Sequence, residues 1–413
     1  MRTALRPLLL PALLVVPALV VRMTGTHLSP ALGLVTFGAA VVAASFILAW
    51  AAEAAEVDIS GGLAVAILAV IAVLPEYAVD LFFAYRAGSD PVYVQYAAAN
   101  MTGSNRLLLG LGWSLVVLVS LAVVSRRSGR SVREVVLESG RRLEIGFLAV
   151  AALVAFIIPV TGQIHLILGL VLLAFFVFYL VRVGMADTDH EPDLVGPAAT
   201  IGALPTATRR PTVIVMFVLS ALVVFVCAEP FAEALIGAGQ SLGVDEFLLV
   251  QWLAPLASEA PEFIVALIFA ARGNAVGALG MLISAKVNQW TLLIGSLPIA
   301  YLAGGGNGVL HLAGRQVEEV LLTAAQTVLG VAILVGLRFP RWAAGALLGL
   351  FLVQFASPGT TGRLILSAVY LLIAAAVLVR HRRHLWPTLT APFRSQPTTA
   401  PEPERESVGA DRH

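Results

Sequence analysis

Two proline–glutamate pairs lie inside long apolar stretches of the sequence, at Pro75 and Glu76 and at Pro261 and Glu262. A carboxylate near the middle of a bilayer costs about 2.5 to 3.5 kcal/mol on insertion scales, so such residues mark ion pathways or buried ion pairs. Proline cannot donate a backbone hydrogen bond, so each pair also predicts a broken helix with free carbonyl oxygens beside the acid. Ca²⁺ prefers carboxylate and carbonyl oxygens, and carboxylates also accept protons. The predicted chemistry is therefore the binding of a cation or of protons.

Other polar side chains lie close to each pair. Asp80 follows Glu76 by four residues and Glu259 precedes Glu262 by three, so each lies on the same helical face as its neighbour and extends the predicted site. The next apolar span of each half adds further candidates: Asn100, Gly103 and Asn105 in the first half, and Ser284, Lys286 and Asn288 in the second. The asparagine side chains can supply amide oxygens to a hard cation.

Two of these charges need partners. A buried ammonium at Lys286 must find a carboxylate, and Glu259 or Glu262 is the predicted one. Such a pair would place Lys286 where a Na⁺ ion could otherwise sit, and the ammonium could release or take up a proton. Asp80 has an alternative interpretation, in which it pairs with an arginine near the membrane surface. The candidate partners are Arg86 and Arg106.

The composition is that of an integral membrane protein. Of the 413 residues, 59% are hydrophobic and 12% are charged, whereas a soluble domain carries about 25% charged residues. The mean hydropathy of +0.91 fits repeated helices that cross a hydrocarbon core. With 26 Lys and Arg against 25 Asp and Glu, the net charge of +1 provides no basic surface for nucleic acid. The single cysteine, Cys227, cannot form an internal disulfide and has no zinc-ligand spacing, so we interpret it as a core residue.

The apolar runs predict an all-α polytopic membrane protein with about twelve transmembrane helices. Their expected bounds are 5–22, 30–53, 61–86, 92–124, 143–160, 163–183, 211–237, 245–271, 274–303, 317–337, 341–357 and 363–380. The run 92–124 is too long for one straight crossing, and Gly103 with Pro91 indicates a kink or break. The first span could also be a signal peptide, but no small-residue cleavage site follows Val21, so we favour an uncleaved helix.

The arginines of the short loops indicate the orientation, because positive residues stay on the cytoplasmic side. With twelve spans, all of the arginine clusters fall on one side of the membrane. They lie at 2–6, 126–142, 209–210, 338–341 and 380–383. This pattern predicts a multi-pass protein of the plasma or inner membrane with both termini in the cytoplasm.

The same runs divide the chain into six parts. They are an extra N-terminal helix (1–29), a first half (30–184), a cytoplasmic linker (185–210), a second half (211–357), an extra C-terminal helix (358–386) and a disordered tail (387–413). We expect membrane lipid and small inorganic cations as partners, and no resident cofactor. The oligomeric state does not follow from the sequence.

The two halves contain an internal repeat. Residues 71–88 and 257–273 both carry Pro-Glu in mid-span, then an apolar stretch that ends in Arg and Gly, and each is followed by a span with polar residues early in it. By the predicted orientation, the first of these helices runs outward and the second inward. An inverted repeat of this kind is typical of secondary transporters, whose site lies near the midplane between the halves.

At these residues the chain resembles the cation/calcium exchanger superfamily, which includes sodium/calcium and calcium/proton exchangers. Its repeats read Gly-Thr-Ser-x-Pro-Glu, followed in the next helix by a Gly-Asn-x-x-Gly-Ser-Asn type segment. The matching positions are Pro75, Glu76, Asn100 and Gly103-Ser104-Asn105 in the first repeat, and Ser258, Pro261, Glu262 and Asn288 in the second. The resemblance implies two inverted five-helix halves with helices broken at the midplane by Pro75, Pro261 and Gly103. It also implies that Glu76 and Glu262 bind the metal or protons in alternation.

The departures from the family pattern concern the coupling ion. Ala72 and Val73 stand at hydroxyl positions that help to coordinate Na⁺ in the family. Glu259 replaces a serine, and the segment expected to carry Asp or Asn contains Ser284 and Lys286. These differences favour H⁺ over Na⁺ as the counter-ion.

The leading hypothesis is an antiporter that exchanges Ca²⁺ for H⁺, or less favourably for Na⁺, by alternating access. Two glutamates balance one dication or accept two protons when it leaves. The first alternative is monovalent Na⁺/H⁺ exchange, because Lys286 lowers the negative charge of the site. The second is an intramembrane enzyme with Glu259, Glu262 and Asp80 as acid and base groups, and the repeat argues against it because an enzyme needs no matching Pro-Glu pair in the other half.

Overall fold

The computed structural model describes residues 6–58, 71, 73–185, 194–356 and 359–394. Helix α1 (Leu9–Thr24) precedes the first half. The helices of the first half are α2 (Pro30–Ala55), α3 (Leu74–Ala87), α4 (Tyr93–Leu107), α5 (Ser114–Ser128), α6 (Arg142–Ala155), α7 (Ile157–Thr161) and α8 (Leu166–Gly184). A π-helical turn at Leu108–Trp113 joins α4 to α5. Short 3₁₀ turns lie at Arg6–Leu8 and Ser139–Arg141.

The second half follows a short helix, α9 (Gly196–Gly202). The helices of the second half are α10 (Thr206–Leu242), α11 (Glu246–Ser258), α12 (Ala260–Arg272), α13 (Ala275–Asn288), α14 (Ile294–Ala303), α15 (Gly314–Leu334) and α16 (Arg341–Ala356). Helices α17 (Thr360–Arg380) and α18 (Arg382–Thr390) follow the second half. A second π-helical turn, Gln289–Leu293, joins α13 to α14. A 3₁₀ turn at Ala391–Phe393 follows α18.

The predicted all-α polytopic fold is observed, but the count of twelve spans is not confirmed. By length and composition, seven helices of the described residues can cross a membrane, or eight if α11 and α12 form one bent span. The difference has a physical origin in the short helices, because α1 and α16 have 16 residues each and the described part of α3 has 14. Most of the span 61–86 before α3 lies outside the described residues.

Two other boundaries differ from the sequence prediction. The tail predicted from residue 387 is helical up to Phe393, because α18 and its 3₁₀ turn pack against α6; residues 395–413 lie outside the described part. The predicted linker 185–210 contains α9 and the first turn of α10, while its residues 186–193 are not described.

The two halves interlock through their helices and through two small sheets. Helix α10 packs along α2, and α11 packs along α4, so helices of one half lie against those of the other. Strand Glu134–Val136 pairs antiparallel with Arg338–Pro340, and strand Gln163–His165 pairs with Val309–His311. Each sheet therefore joins a loop of the first half to a loop of the second. Cys227 lies in the core, fully buried on α10.

Gly103 lies at the crossing of α4 and α11. The sequence predicts a helix break here, but α4 is continuous through Gly103 and that prediction is wrong. A Cβ at this position would overlap the backbone carbonyl of Gln251. Pro255 cannot donate to that carbonyl within α11, so the missing hydrogen bond and the missing side chain together allow the two helices to approach closely.

Candidate cation-binding site

Both repeat glutamates lie in the first turn of a helix. Pro75 and Glu76 open α3, and Pro261 and Glu262 open α12. Proline is tolerated there because its missing N–H is one that the helix start leaves unpaired anyway, and the N-terminal end of a helix favours a carboxylate. In the second half the chain bends by 58° between α11 and α12, at Glu259, so the Pro-Glu motif of this half lies at a broken helix.

The centre of the site is a hydrogen-bonded group of Glu76, Glu259 and Gln289. The Gln289 side-chain amide donates to Glu76 Oε1 at 3.1 Å and to Glu259 Oε1 at 2.8 Å. The three side chains come from α3, from the bend between α11 and α12, and from the π-helical turn after α13. All three residues are at most 4% exposed. The group therefore brings carboxylates of both halves together in the protein interior.

Glu262 lies close to this group but is not bonded to it. Its carboxylate interacts electrostatically with those of Glu76 and Glu259, and the residue is half-buried. Within the described residues, no three His, Cys, Asp or Glu side chains converge in the way that would hold a metal ion. The two predicted metal ligands, Glu76 and Glu262, thus lie near each other, but in this conformation they do not form a complete metal-binding site within the described residues.

Asp80 and Asn100 are fully buried beside the site. Asp80 lies next to Glu76, and the side chain of Asn100 interacts with its carboxylate, although no contact of Asp80 within the described part of the chain has full hydrogen-bond geometry. The amide of Asn100 is likewise unbonded there. The alternative partners predicted for Asp80 are wrong, because Arg106 pairs with Glu319 and the guanidinium of Arg86 lies 5.3 Å from the ring centre of Tyr93.

Lys286 is fully buried but has a different partner from the one expected. Its Nζ donates to Asn105 twice, to the main-chain oxygen at 2.5 Å and to Oδ1 at 2.7 Å. The predicted ion pair with Glu259 or Glu262 is wrong, because no such salt bridge forms among the described residues. The amide oxygens of Asn105, delivered by α4, are closer to the ammonium than either carboxylate.

The remaining predicted residues contribute less directly. The Ser258 hydroxyl donates to Ala254 O of its own helix at 3.1 Å. The hydroxyl of Ser284 lies 2.7 Å from that of Tyr179 on α8, and it makes no hydrogen bond with Glu76, Glu259 or Glu262 among the described residues. Asn288 accepts a hydrogen bond from the Tyr77 hydroxyl on its main-chain oxygen, at 3.3 Å, while its Oδ1 has no partner within the described residues.

A second buried polar cluster was not predicted. Arg106 Nη2 lies 2.5 Å from Glu319 Oε2, and Gln251 Nε2 donates to the same oxygen at 3.1 Å and to Thr102 Oγ1 at 3.2 Å. Arg363 lies 3.6 Å from the other oxygen of Glu319. The cluster joins α4, α11, α15 and α17. Glu319 lies within the predicted span 317–337, and a carboxylate in a span could have indicated this cluster from the sequence.

Gln289 was also missed as a site residue, although it follows Asn288 directly in the repeat. The repeat has a structural signature at this point: the π-helical turn of the first half begins three residues after Asn105, and that of the second half begins immediately after Asn288. Single π-helical turns are rare and occur frequently at functional sites. Each half therefore has one such turn shortly after its polar segment, 32 residues after Glu76 in the first half and 27 residues after Glu262 in the second.

The sequence profile of the family described as 'Sodium/calcium exchanger protein' matches residues 29–185 and 212–356 of the chain. A crystal structure of the H⁺/Ca²⁺ exchanger CAX is 41% identical, with 95% of this chain and 98% of that chain covered and a TM-score of 0.88. No curated protein matches the chain.

More distant structures share the fold alone. Native YfkE is 16% identical, with 88% of this chain and 98% of that chain covered and a TM-score of 0.59. The sodium-calcium exchanger NCX_Mj is 19% identical, with 79% of this chain and 99% of that chain covered and a TM-score of 0.51. Because the family match spans both halves and includes every helix that supplies an acid to the site, this multi-pass membrane protein belongs to the sodium/calcium exchanger family.

Proposed function

We propose that the protein is a secondary active antiporter that exchanges Ca²⁺ for H⁺ by alternating access. The observation that carries this proposal is the group formed by Glu76, Glu259 and Gln289, in which two buried carboxylates from different halves share one amide donor. The similarity to the H⁺/Ca²⁺ exchanger CAX, at 41% identity over nearly the whole chain, supports the same exchange here.

The chemistry of the side chains supports a divalent cation. Glu76, Glu259 and the adjacent Glu262 offer carboxylate oxygens, and Asn100 and Asn288 have amide oxygens without hydrogen-bond partners in the described residues. Hard oxygen ligands of this kind suit Ca²⁺. Two or more carboxylates also supply enough negative charge to balance a dication in a medium of low dielectric constant.

The same arrangement supports coupling to protons. Adjacent carboxylates repel each other unless a cation or protons neutralise them. When Ca²⁺ leaves, protons that bind the carboxylates restore neutrality, and when Ca²⁺ enters they must leave. Mutual exclusion at one site then couples the two fluxes, and a movement of one half against the other exposes the site to each side in turn.

Na⁺ coupling has less support from the first repeat. Val73, which stands at a hydroxyl position of the family, is buried and apolar, and Ala72 lies outside the described residues. Monovalent Na⁺/H⁺ exchange remains the alternative function, because the positive charge of Lys286 lies near Glu259 and Glu76 and lowers the affinity of the site for a dication. The enzyme hypothesis has no support from the family, whose structural relatives are transporters.

The orientation of the chain is a further part of the proposal. Three arginine-rich segments, 126–142, 338–341 and 380–383, lie together at one end of the bundle. Strand Glu134–Val136 pairs with Arg338–Pro340, and Arg142 donates a 2.8 Å hydrogen bond to Thr388, shortly after the third segment. We propose that this end and both termini are cytoplasmic. A membrane-impermeant maleimide applied to intact cells should then label Thr161→Cys and not Ser128→Cys, both in a Cys227→Ser background. The reverse pattern would overturn this orientation.

The exchange is tested by ⁴⁵Ca²⁺ uptake into proteoliposomes that hold the purified protein. An outwardly directed H⁺ gradient should drive uptake, Glu76→Gln should abolish it, and Glu138→Gln, at an exposed site outside the spans, should leave it unchanged. Uptake driven only by an outward Na⁺ gradient would replace H⁺ by Na⁺ as the counter-ion. No Ca²⁺ uptake under either gradient, with Na⁺ uptake driven by H⁺, would establish the monovalent alternative.

A further inference from the structure

Lys286 is the only lysine in the sequence, and the other 25 of the 26 Lys and Arg residues are arginines. It is also fully buried, with 0% exposure. An ammonium is a compact and strongly hydrated point charge, whereas a guanidinium is planar, delocalised and more weakly hydrated. Of the two types of basic side chain, lysine has the charged group that is more similar to an alkali metal ion in size and hydration, and this is the type found at the buried position 286.

The contacts of Lys286 are those of a small cation held by oxygen ligands. Its Nζ contacts two oxygens of one residue, the main-chain oxygen and Oδ1 of Asn105. Asn105 Oδ1 is oriented toward Lys286 because the Nδ2 of the same amide donates to Met101 O at 2.9 Å. On another side the ring centre of Trp290 lies 5.7 Å from Nζ, within cation–π range. Two neutral oxygens thus bind the ammonium group, and a ring face lies within range of its charge.

The site carboxylates lie farther out. Lys286 interacts electrostatically with Glu259 and Glu76, yet it forms no salt bridge with either within the described residues. The ammonium therefore neutralises part of the field of the acids without occupying the carboxylate oxygens. Those oxygens stay available for a transported ion.

The position of Lys286 in the repeat is also informative. It follows Glu262 by the same 24 residues by which Asn100 follows Glu76. The first half thus has an amide, with an oxygen that has no hydrogen-bond partner in the described part, where the second half has an ammonium. One potential oxygen ligand of a symmetric arrangement is replaced by a nitrogen donor that can carry a positive charge.

We propose that Lys286 is a tethered cation that fills a monovalent-cation position between Asn105 and the site carboxylates, and thereby excludes Na⁺ from the exchange cycle. The inference deepens the proposed function and rests on it for its meaning in transport. With this position filled by the protein itself, the charge of a departing Ca²⁺ can be replaced only by protons on the carboxylates. Lys286 is then the residue that determines specificity between H⁺ and Na⁺.

The direct test is Na⁺ binding, which is measured without any flux. Purified wild-type protein, Lys286→Met and Lys286→Ala are unfolded thermally in NaCl and in choline chloride of equal ionic strength. We expect no Na⁺-specific change for wild type or for Lys286→Met, whose side chain still fills the position, and a Na⁺-specific rise in Tm of about 2 °C for Lys286→Ala at a Na⁺ concentration ten times the dissociation constant. The double variant Lys286→Ala with Asn105→Ala should lose most of this rise, because it removes one of the two oxygen ligands.

Two outcomes would overturn the proposal. One is Na⁺-specific stabilisation or Na⁺-driven Ca²⁺ uptake by wild-type protein, a result that does not depend on whether any variant folds. The other is the absence of Na⁺-specific stabilisation in folded Lys286→Ala. In proteoliposomes Lys286→Ala should gain Na⁺-driven uptake of ⁴⁵Ca²⁺. If wild type shows no Ca²⁺/H⁺ exchange while Lys286→Ala binds Na⁺, the tethered cation is supported and the proposed exchange is overturned, so the two failures are distinguishable.

Discussion

The carboxylates of Glu76 and Glu259 accept hydrogen bonds from one and the same side-chain nitrogen, that of Gln289. The two acids belong to different halves of the molecule, and the amide lies in the π-helical turn that follows α13. A neutral donor shared by both acids therefore helps to set the separation of two buried carboxyl groups. This relationship makes Gln289 a positioning residue for the site.

We expect Gln289→Ala to weaken Ca²⁺ binding. A hydrogen bond to a charged group contributes about 1.5 to 3 kcal/mol, and the loss of one such bond corresponds to a roughly 10-fold or larger rise in the Ca²⁺ concentration at half-maximal uptake. The measurement is initial ⁴⁵Ca²⁺ uptake against Ca²⁺ concentration. Gln240→Ala, at an exposed position on α10, is the control and should leave the curve unchanged. Equal curves for both variants would show that the amide does not position the acids.

Glu259 and Ser258 are neighbours with different expected roles. Glu259→Gln should lower Ca²⁺ uptake at least 10-fold, because it removes a charge that lies beside Glu76 in the centre of the site. Ser258→Ala should change uptake less than 2-fold, because the Ser258 hydroxyl bonds to the backbone of its own helix. Uptake rates at saturating and at low Ca²⁺ distinguish the two. A large loss in Ser258→Ala with little loss in Glu259→Gln would restore the family role of the serine and contradict this assignment.

The parts of the site that could be predicted from the sequence are those that depend only on adjacent residues. Pro75 and Glu76, and Pro261 and Glu262, are adjacent residues whose types alone predict an acid at a helix start or break. The apolar runs predicted most helices for the same reason, since the length and composition of a membrane helix are properties of one segment.

The contacts that could not be predicted are those between distant segments. Gln289 is 213 residues from Glu76, and Lys286 is 181 residues from Asn105. Charge alone predicted a glutamate as the partner of Lys286. In the structure α13 lies against the end of α4, so Lys286 instead binds the oxygens of Asn105. The pairing of Arg106 with Glu319 likewise depends on how α4 lies against α15, which no local pattern reveals.

Glu318 and Glu319 provide a matched comparison of a buried and a more accessible ion pair. Glu319→Gln leaves the Arg106 guanidinium, which is 3% exposed, without its 2.5 Å counter-charge, and should lower the free energy of unfolding by about 3 to 5 kcal/mol. Glu318→Gln weakens a pair with Arg363 whose side chains are 11% and 16% exposed, and because water reaches this pair more easily the loss should be smaller. Thermal unfolding in detergent tests the order. Equal losses would mean that the cluster around Arg106 does not stabilise the fold.

Asp58 predicts a pH dependence of stability at the end of α2. Arg209 binds its carboxylate with two hydrogen bonds of 2.7 Å, and these bonds, with a further one from Arg210, lower the pKa of Asp58 to about 2. A lowered pKa in the folded state stabilises the protein above the ordinary pKa of aspartate, about 3.9, and this stabilisation is lost as the pH falls toward 2. Asp58→Asn should therefore lower Tm by a constant amount above about pH 5.

The measurement for Asp58 is the difference in Tm between wild type and Asp58→Asn over the acidic range. The difference should shrink as the pH falls below about 4, because protonation removes the charge in wild type as well. Glu138→Gln, at an exposed position, should show no such trend. A difference that stays the same down to pH 2 would mean that Asp58 acts through its shape or packing and not through its charge.

Gly103 and Gly349 allow the crossing of α4 and α11 to be tested with one type of substitution. Both glycines are helical, but a Cβ at Gly103 would overlap the Gln251 carbonyl, whereas a Cβ at Gly349 meets nothing within 4 Å. Gly103→Ala should lower the free energy of unfolding by about 1 to 3 kcal/mol through overpacking, and Gly349→Ala should raise it by about 0.5 to 1 kcal/mol through its helix propensity. Because α11 ends next to Glu259, Gly103→Ala should also reduce Ca²⁺ uptake in proteoliposomes. If Gly103→Ala matched Gly349→Ala in both Tm and uptake, the close approach of the two helices would not be needed to assemble the site.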